Sequence, residues 1–244
     1  KIFIIGDSFA EGDCQNEKKD IAGIFRDKFE INTANYGIGG AGPLLSLASL
    51  REYAPFYKPD YVIYFYYEGN DMEDLKDEKE TFLINYLGNF SQNLFYKNEE
   101  IEKFLTEYEN LAYEVYKKEI NAYNKYGKNL EQNIKKIKKK EKVKIIKDFL
   151  ELQKLKNLFF SKSFFGKKNS IDEKLFSDVL IKMKKEVANW DGKLVVVYLP
   201  AWNRFYQRYS LVNFFHKRSV ENIIESLDIG YIDMVKEFEK KTNP

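Results

Sequence analysis

The sequence predicts an α/β fold built on a doubly wound, five-stranded parallel sheet, with a large helical insertion after the third strand. Three observations point there. Five short apolar runs lack the alternation of half-exposed strands and read as strands buried on both faces. Helically spaced apolar residues fill the gaps between them, and strand–helix–strand alternation with tight connections implies right-handed crossovers. One long stretch, from about Met72 to Trp190, breaks that rhythm while keeping helical spacing of its own.

The strands are expected at Lys1–Ile5, Ile31–Tyr36, Tyr61–Tyr67, Lys193–Leu199 and Ile229–Ile232. Between the first two, Ile21, Ile24, Phe25 and Phe29 fall on one face of a helix over Ile21–Phe29. Before the third, Pro43 suits the first turn of a helix running to about Tyr53, with Leu44, Leu45, Leu47, Ala48 and Leu50 turned inward. Val220, Ile223, Ile224 and Leu227 give a helix over Ser219–Leu227. The core is therefore assigned to residues 1–71 and 191–244, and a helical insertion or cap to 72–190.

Within the insertion, Ile101, Phe104, Leu105, Tyr108, Leu111, Ala112 and Val115 repeat at helical spacing, as do Val143, Ile146, Phe149, Leu150 and Leu158. Its charge is divided: Glu68–Glu114 carries about nine more acids than bases, and Lys117–Lys156 about nine more bases than acids. Two helices pairing with opposite signs facing each other is the first reading. Contact of Lys135–Lys144 with an anionic surface, a phospholipid membrane or an acidic polysaccharide, is the second.

Composition removes several classes of function. A net charge of +2 gives no case for wholesale nucleic-acid binding. The single thiol, Cys14, allows neither an internal disulfide nor a multi-cysteine metal site, and His216 alone cannot build a centre of two or three imidazoles. No apolar run approaches the roughly 20 residues that cross a bilayer, and no signal peptide is recognisable. The chain opens inside an apolar strand, so it is expected to be a fragment whose compartment and oligomeric state stay open.

Three short segments each follow an expected strand and so meet at one edge of the sheet, where ligands of such folds bind. Gly6-Asp7-Ser8 permits a tight strand-to-helix turn with Ser8 exposed beside a helix amino end; a plain turn and helix cap is the competing reading. Asn35-Tyr36-Gly37-Ile38-Gly39-Gly40-Ala41-Gly42 places four glycines between a strand and a helix, which frees main-chain N–H groups to face a ligand. Gly37, Gly39 and Gly42 also spell a nucleotide-loop pattern. However, Pro43 follows at once, no Lys-Ser/Thr pair is present, and no acid ends the next strand where a ribose would need it. Gly69-Asn70-Asp71 closes the most apolar strand, and Asn70 offers an uncharged N–H donor or, alternatively, a simple Asx turn.

Together these blocks resemble the SGNH hydrolase superfamily, the GDSL-type esterases and acyltransferases. The resemblance covers residues 1–71 well and 193–233 loosely. It implies a flavodoxin-like three-layer α/β/α sandwich, with Ser8 as nucleophile and Gly40 and Asn70 as oxyanion donors. It implies no metal or nucleotide cofactor. Members carry an Asp-x-x-His pair near the carboxyl end, and none occurs here. The pair is expected beyond Pro244, His216 is expected to be an ordinary histidine, and Asp233 looks like the acid that closes the fifth strand. Without that base the chain as given is expected to have little or no activity.

After the fourth strand, Trp202 and Tyr206 are candidates to stack on a sugar ring, and Arg204 to hold a polar substituent. The expected substrate is a small acyl ester, with a carbohydrate-linked ester favoured. Two other classes stay open: a non-catalytic SGNH-like module that binds glycan or scaffolds a partner, and a flavodoxin-like nucleotide binder.

Overall fold

The computed structural model describes residues 1–12, 15, 16, 18–118, 172–201, 204, 205 and 211–240, the side chains of 211–215 excepted. Five parallel strands form one open sheet: β1 (Ile2–Gly6), β2 (Thr33–Gly37), β3 (Tyr61–Tyr67), β4 (Lys193–Leu199) and β5 (Gly230–Asp233). Their order is β2-β1-β3-β4-β5, the flavodoxin-like order, so the connections switch direction at β1. Strand β1 lies between two partners in register, Gly6 beside both Gly37 and Phe65.

Alternate side chains of the strands enter two different cores, which makes the molecule a three-layer α/β/α sandwich. Phe3, Ile5, Val62, Tyr64, Tyr66, Val196 and Tyr198 face the larger core. Helices α3 (Pro43–Tyr57), α6 (Glu173–Ala188) and α7 (Leu211–Ser226) cover it, through residues such as Leu44, Leu47, Phe176, Val179 and Ile224. On the opposite face Ile4, Phe65 and Val197 meet Ala10 of α1 (Ser8–Glu11) and Ala22 of α2 (Ile21–Phe29). Helix α8 (Met234–Glu239) closes the described chain. At the amino end of the sheet, Trp190 Nε1 donates to the Pro59 carbonyl at 2.9 Å.

The second compact unit spans fewer residues than the 72–190 assigned to the insertion. Contacts divide the chain into Lys1–Phe95 with Ser170–Pro244, and a second unit of Tyr96–Asn169. Helix α4 (Asp71–Glu78), the 3₁₀ turn Phe82–Leu87 and α6 thus belong with the sheet, and the boundary falls inside a second 3₁₀ turn, Leu94–Lys97. The reason is burial: Phe176, Val179, Leu180, Met183 and Val187 put α6 on the sheet as the crossover helix into β4. Of the second unit, residues 98–118 are helical (α5), and Phe104, Tyr108 and Leu111 are exposed on it. The spacing over Val143–Leu158, the Lys135–Lys144 run and Cys14 lie outside the described residues.

A buried carboxylate ties the 3₁₀ turns to α3. Glu52 Oε1 accepts from Tyr86 Oη (2.7 Å), Ser91 Oγ (2.9 Å) and Gln92 N (2.6 Å), and Oε2 accepts from Leu94 N (2.8 Å). Burial opposes its ionisation, but these four donors outweigh burial and hold the pKa below the ordinary glutamate value of 4.5. Glu52→Gln puts an amide N–H against Leu94 N–H, and is expected to lose about 2 kcal/mol at pH 7. The unfolded chain binds this proton more readily, so the carboxylate's contribution is present above 4.5 and fades as pH falls below it. Urea midpoints at pH 7 and pH 4 check this: the gap between variant and wild type should narrow at the lower pH.

Candidate functional site

At the carboxyl edge, β1 ends in a turn that only glycine fits well. Gly6 has φ +143°, and a Cβ there would stand 2.7 Å from the Phe65 carbonyl oxygen. The next residue, Asp7, caps α1 by accepting from Phe9 N at 2.9 Å, and Ser8 is left exposed in the first turn.

Strand β2 is pinned against that helix. Asn35 Nδ2 donates to the Ala10 and Glu11 carbonyls at 2.9 and 3.2 Å, and Asn35 Oδ1 accepts from Gly37 N at 3.0 Å. Gly37 packs so closely that a Cβ would lie 2.3 Å from Glu11 N. Beyond it the chain passes close to Ser8. Gly39 N donates to Glu11 Oε2 at 2.7 Å, and a Cβ on Gly39 would lie 3.9 Å from the Ser8 Cβ. Gly40 follows with φ +76° and open space on its Cβ side.

The third segment closes on the other two. The Tyr67 ring packs on Phe9 with centroids 4.3 Å apart. Asn70 caps α4, and its Nδ2 donates to Asp74 Oδ2 at 2.8 Å. One of the two amide hydrogens of Asn70 is thereby committed, and one remains. The Asp74 Cβ in turn stands 2.8 Å from where a Cβ of Gly42 would be. Ser8, Gly40 and Asn70 thus come from three separate segments that touch at one rim of the sheet.

Beneath them lie buried acids. Asp71 Oδ2 accepts from Tyr64 Oη (2.9 Å) and Tyr67 N (3.1 Å), while Asp71 Oδ1 and Asp7 Oδ2 are buried without a hydrogen-bond partner among the described residues. Burial raises the pKa of Asp7 despite the N–H bonds it accepts; burial, and then the charge of Asp7, raise that of Asp71 well above the ordinary range. Both effects favour the neutral acid on at least one of them. Among the described residues no group of three or more His, Cys, Asp and Glu side chains could hold a metal ion.

His216 sits elsewhere. Its Nε2 lies 2.6 Å from Tyr66 Oη, and burial lowers its pKa. Among the described residues, no His, Asp or Glu is hydrogen-bonded to Ser8 Oγ. Asp233 closes β5 by accepting from Val235 N at 3.0 Å, with Lys217 Nζ at 2.9 Å from its other oxygen.

Arg204 is turned inward. Its side chain is 1% exposed and its guanidinium faces Glu68, with Nε 2.8 Å from Oε2 and a second contact between Nη2 and Oε1. Glu68 Oε2 also accepts from Ala201 N at 3.0 Å. Register brings this about: Tyr67 lies beside Leu199, so the residues leaving β3 and β4 meet. Arg204 therefore joins the residues that leave β3 and β4 through the Glu68 carboxylate. Trp202 and Tyr206 lie outside the described residues.

Several residues that shape the rim carry no motif. Glu11, Asn35, Asp74 and Glu78 act mainly through main-chain groups or through Asn70, and only the acidic stripe Asp71, Asp74, Glu78 on one face of α4 signals any of them in sequence. Neither the family models nor the curated proteins compared with this chain give a match.

Proposed function

We propose that this chain carries the acyl-transfer half of a serine-dependent ester hydrolase or O-acyltransferase of the SGNH type. One observation supports the reading above the others. A Cβ on Gly39 of the glycine loop would lie 3.9 Å from the Cβ of the exposed Ser8, Gly40 follows with open space on its Cβ side, and Asn70 leaves the neighbouring strand at the same rim.

In this reading Ser8 Oγ attacks the carbonyl carbon of an acyl ester, and the alcohol leaves with a proton to give an acyl-serine. The main-chain N–H groups of Ser8 and Gly40 and the uncommitted amide hydrogen of Asn70 bind the oxyanion, each contributing about 3 kcal/mol. Water as acceptor completes hydrolysis, and a sugar hydroxyl completes transfer. The substrate class is a small acyl ester, with a carbohydrate-linked ester favoured by the aromatic residues after β4. Serine needs a base to attack at neutral pH, a contribution of about 10²–10⁴-fold. A non-catalytic glycan-binding or scaffolding module of the same fold is the second reading, favoured by the engagement of His216 with Tyr66.

Exogenous base separates the two. With p-nitrophenyl acetate and increasing imidazole, wild type is expected to outpace Ser8→Ala by a margin that grows with imidazole. A Ser8-dependent rate already present without imidazole keeps the ester chemistry and removes the missing base. Equal rates for the two proteins throughout overturn the catalytic reading.

A further inference from the structure

The glycine loop ends where α3 begins, and that helix end has no cap of its own. Gly42 is the N-cap and offers no side chain, and Pro43 occupies the first helical position. Three main-chain donors there, on Gly42, Leu44 and Leu45, need an acceptor. All three find it in one side chain from another helix. Glu78 Oε1 accepts from Gly42 N at 2.8 Å and Leu45 N at 3.2 Å, and Oε2 accepts from Leu44 N at 2.8 Å.

The fit is close. Glu78 is buried, and a Cβ on Gly42 would lie 2.7 Å from Glu78 Oε2 and 2.8 Å from the Asp74 Cβ. Glycine at 42 is thus the condition for the carboxylate to reach the helix end. Two residues back is Gly40, and Ala41 N closes the loop on the Ile38 carbonyl at 2.9 Å. Helix α4 therefore holds two of the rim's donors at once, Asn70 through Asp74 and the Gly40 segment through Glu78.

We propose that Glu78 is a positioning residue: its carboxylate fixes the backbone of the Gly37–Gly42 loop from α4, and the loop is held at full strength only while Glu78 is ionised. A carboxylate accepts from three donors with charge-assisted bonds roughly twice as strong as neutral ones. A protonated carboxyl loses that strength and needs an acceptor for its own hydrogen, which this helix end does not offer. The catalytic meaning of the clamp rests on reading Gly40 as an oxyanion donor; the clamp itself does not.

The surroundings place the change near neutrality. Burial pushes Glu78 up to about 7 against the three N–H bonds, and Asp74 on the same helix adds to the rise. Tyr64 of β3 feels the charge of Glu78, the first turn of α3 has no acidic residue, and in the turn Phe82–Leu87 the titratable side chain is Tyr86, bonded to Glu52. Lys79 is paired with Asp172 at 3.5 Å. Two observables should then move in opposite directions. The folded chain holds this proton more tightly than the unfolded one, so its contribution to global stability is full below 4.5 and declines as pH rises to about 7. Order in the loop instead increases as pH rises through that same value.

The test uses the full chain and needs no substrate. In a ¹⁵N–¹H titration between pH 5 and 9, the amides of Gly42, Leu44 and Leu45 are expected to share one midpoint near 7. Glu78→Gln should abolish that midpoint and, at pH 8, speed intrinsic-rate-corrected exchange at Leu44 N by about tenfold or more. Three unrelated midpoints, a shared one near 4.5, or a midpoint that survives in Glu78→Gln overturns the clamp. The catalytic arm is separate. If Ser8-dependent, imidazole-assisted turnover exists, its rate at constant free-base imidazole should step up with pH through the amide midpoint in wild type and lose that step in Glu78→Gln. A step that persists in the variant overturns the positioning role. Equal turnover by wild type and Ser8→Ala, with the amide midpoint intact, instead removes the ester chemistry and leaves the clamp standing.

Discussion

Alanine at position 6 is expected to destabilise the protein by about 3 kcal/mol, for two reasons that add. A φ of +143° costs an L-residue about 1–2 kcal/mol. The new methyl group would also stand 2.7 Å from the Phe65 carbonyl and 3.0 Å from the Ala10 Cβ, and overpacking of this kind costs about 1–3 kcal/mol. Strand β1 is interior, so neither the Phe65 backbone nor α1 can retreat without disturbing a neighbour. Gly40→Ala is the matched control: its φ is also positive, but nothing stands within 4 Å of the added atom. It should lose only the conformational part, about 1 kcal/mol. Urea midpoints at constant m-value measure both. Equal losses at the two positions would mean that the turn after β1 is not tightly closed.

Glu68→Ala is expected to cost about 3–5 kcal/mol, because it removes the carboxylate facing a buried guanidinium. Glu68 and Arg204 are 4% and 1% exposed at the side chain, so the guanidinium loses this carboxylate in a site shielded from bulk water. The same change takes away the acceptor of Ala201 N. Replacing both partners, Glu68→Met with Arg204→Met, should recover much of the loss, since well-packed apolar pairs often match buried ion pairs. A double variant no more stable than Glu68→Ala would show that Ala201 N, and not the charge, dominates.

How much of this was legible in the sequence depended on where each residue's partner lies. Strands β3 and β4 match their apolar runs, Tyr61–Tyr67 and Lys193–Leu199, because both are interior strands with buried faces. Strands β1 and β5 start one residue later than expected and β2 two; β2 and β5 are edge strands, where burial marks the ends less sharply. Helix α3 runs to Tyr57 through Pro55 instead of stopping near Tyr53, its last turns held by buried Ala54 and by Phe56 stacked on Phe95 at 3.6 Å. Helix α6 was assigned to the insertion because helical spacing shows which side is apolar but not what it packs against.

The rim divides in the same way. Glycines after a strand announce a turn, so the turns after β1, β2 and β3 are readable. Glu78 was not, since its three partners are main-chain N–H groups more than 30 residues away. The ion pair of Arg204 is hidden for a related reason: its carboxylate, on Glu68, is 136 residues distant.

The pairing of β3 with β4 also has a consequence for synthesis. Tyr61 lies beside Lys193, so about 130 residues must be made after β3 before its second neighbour exists. At ribosomal rates of about 5–20 residues per second, the Tyr61–Tyr67 strand leaves the ribosome with one side unpaired for about 7–25 s. Its sequence, Tyr-Val-Ile-Tyr-Phe-Tyr-Tyr, is uncharged and rich in aromatic and β-branched residues, the composition that nascent chains most readily aggregate through. Chaperone shielding during translation is where a cell would most need to intervene for this protein, and slow elongation over the central segment would lengthen the hazard.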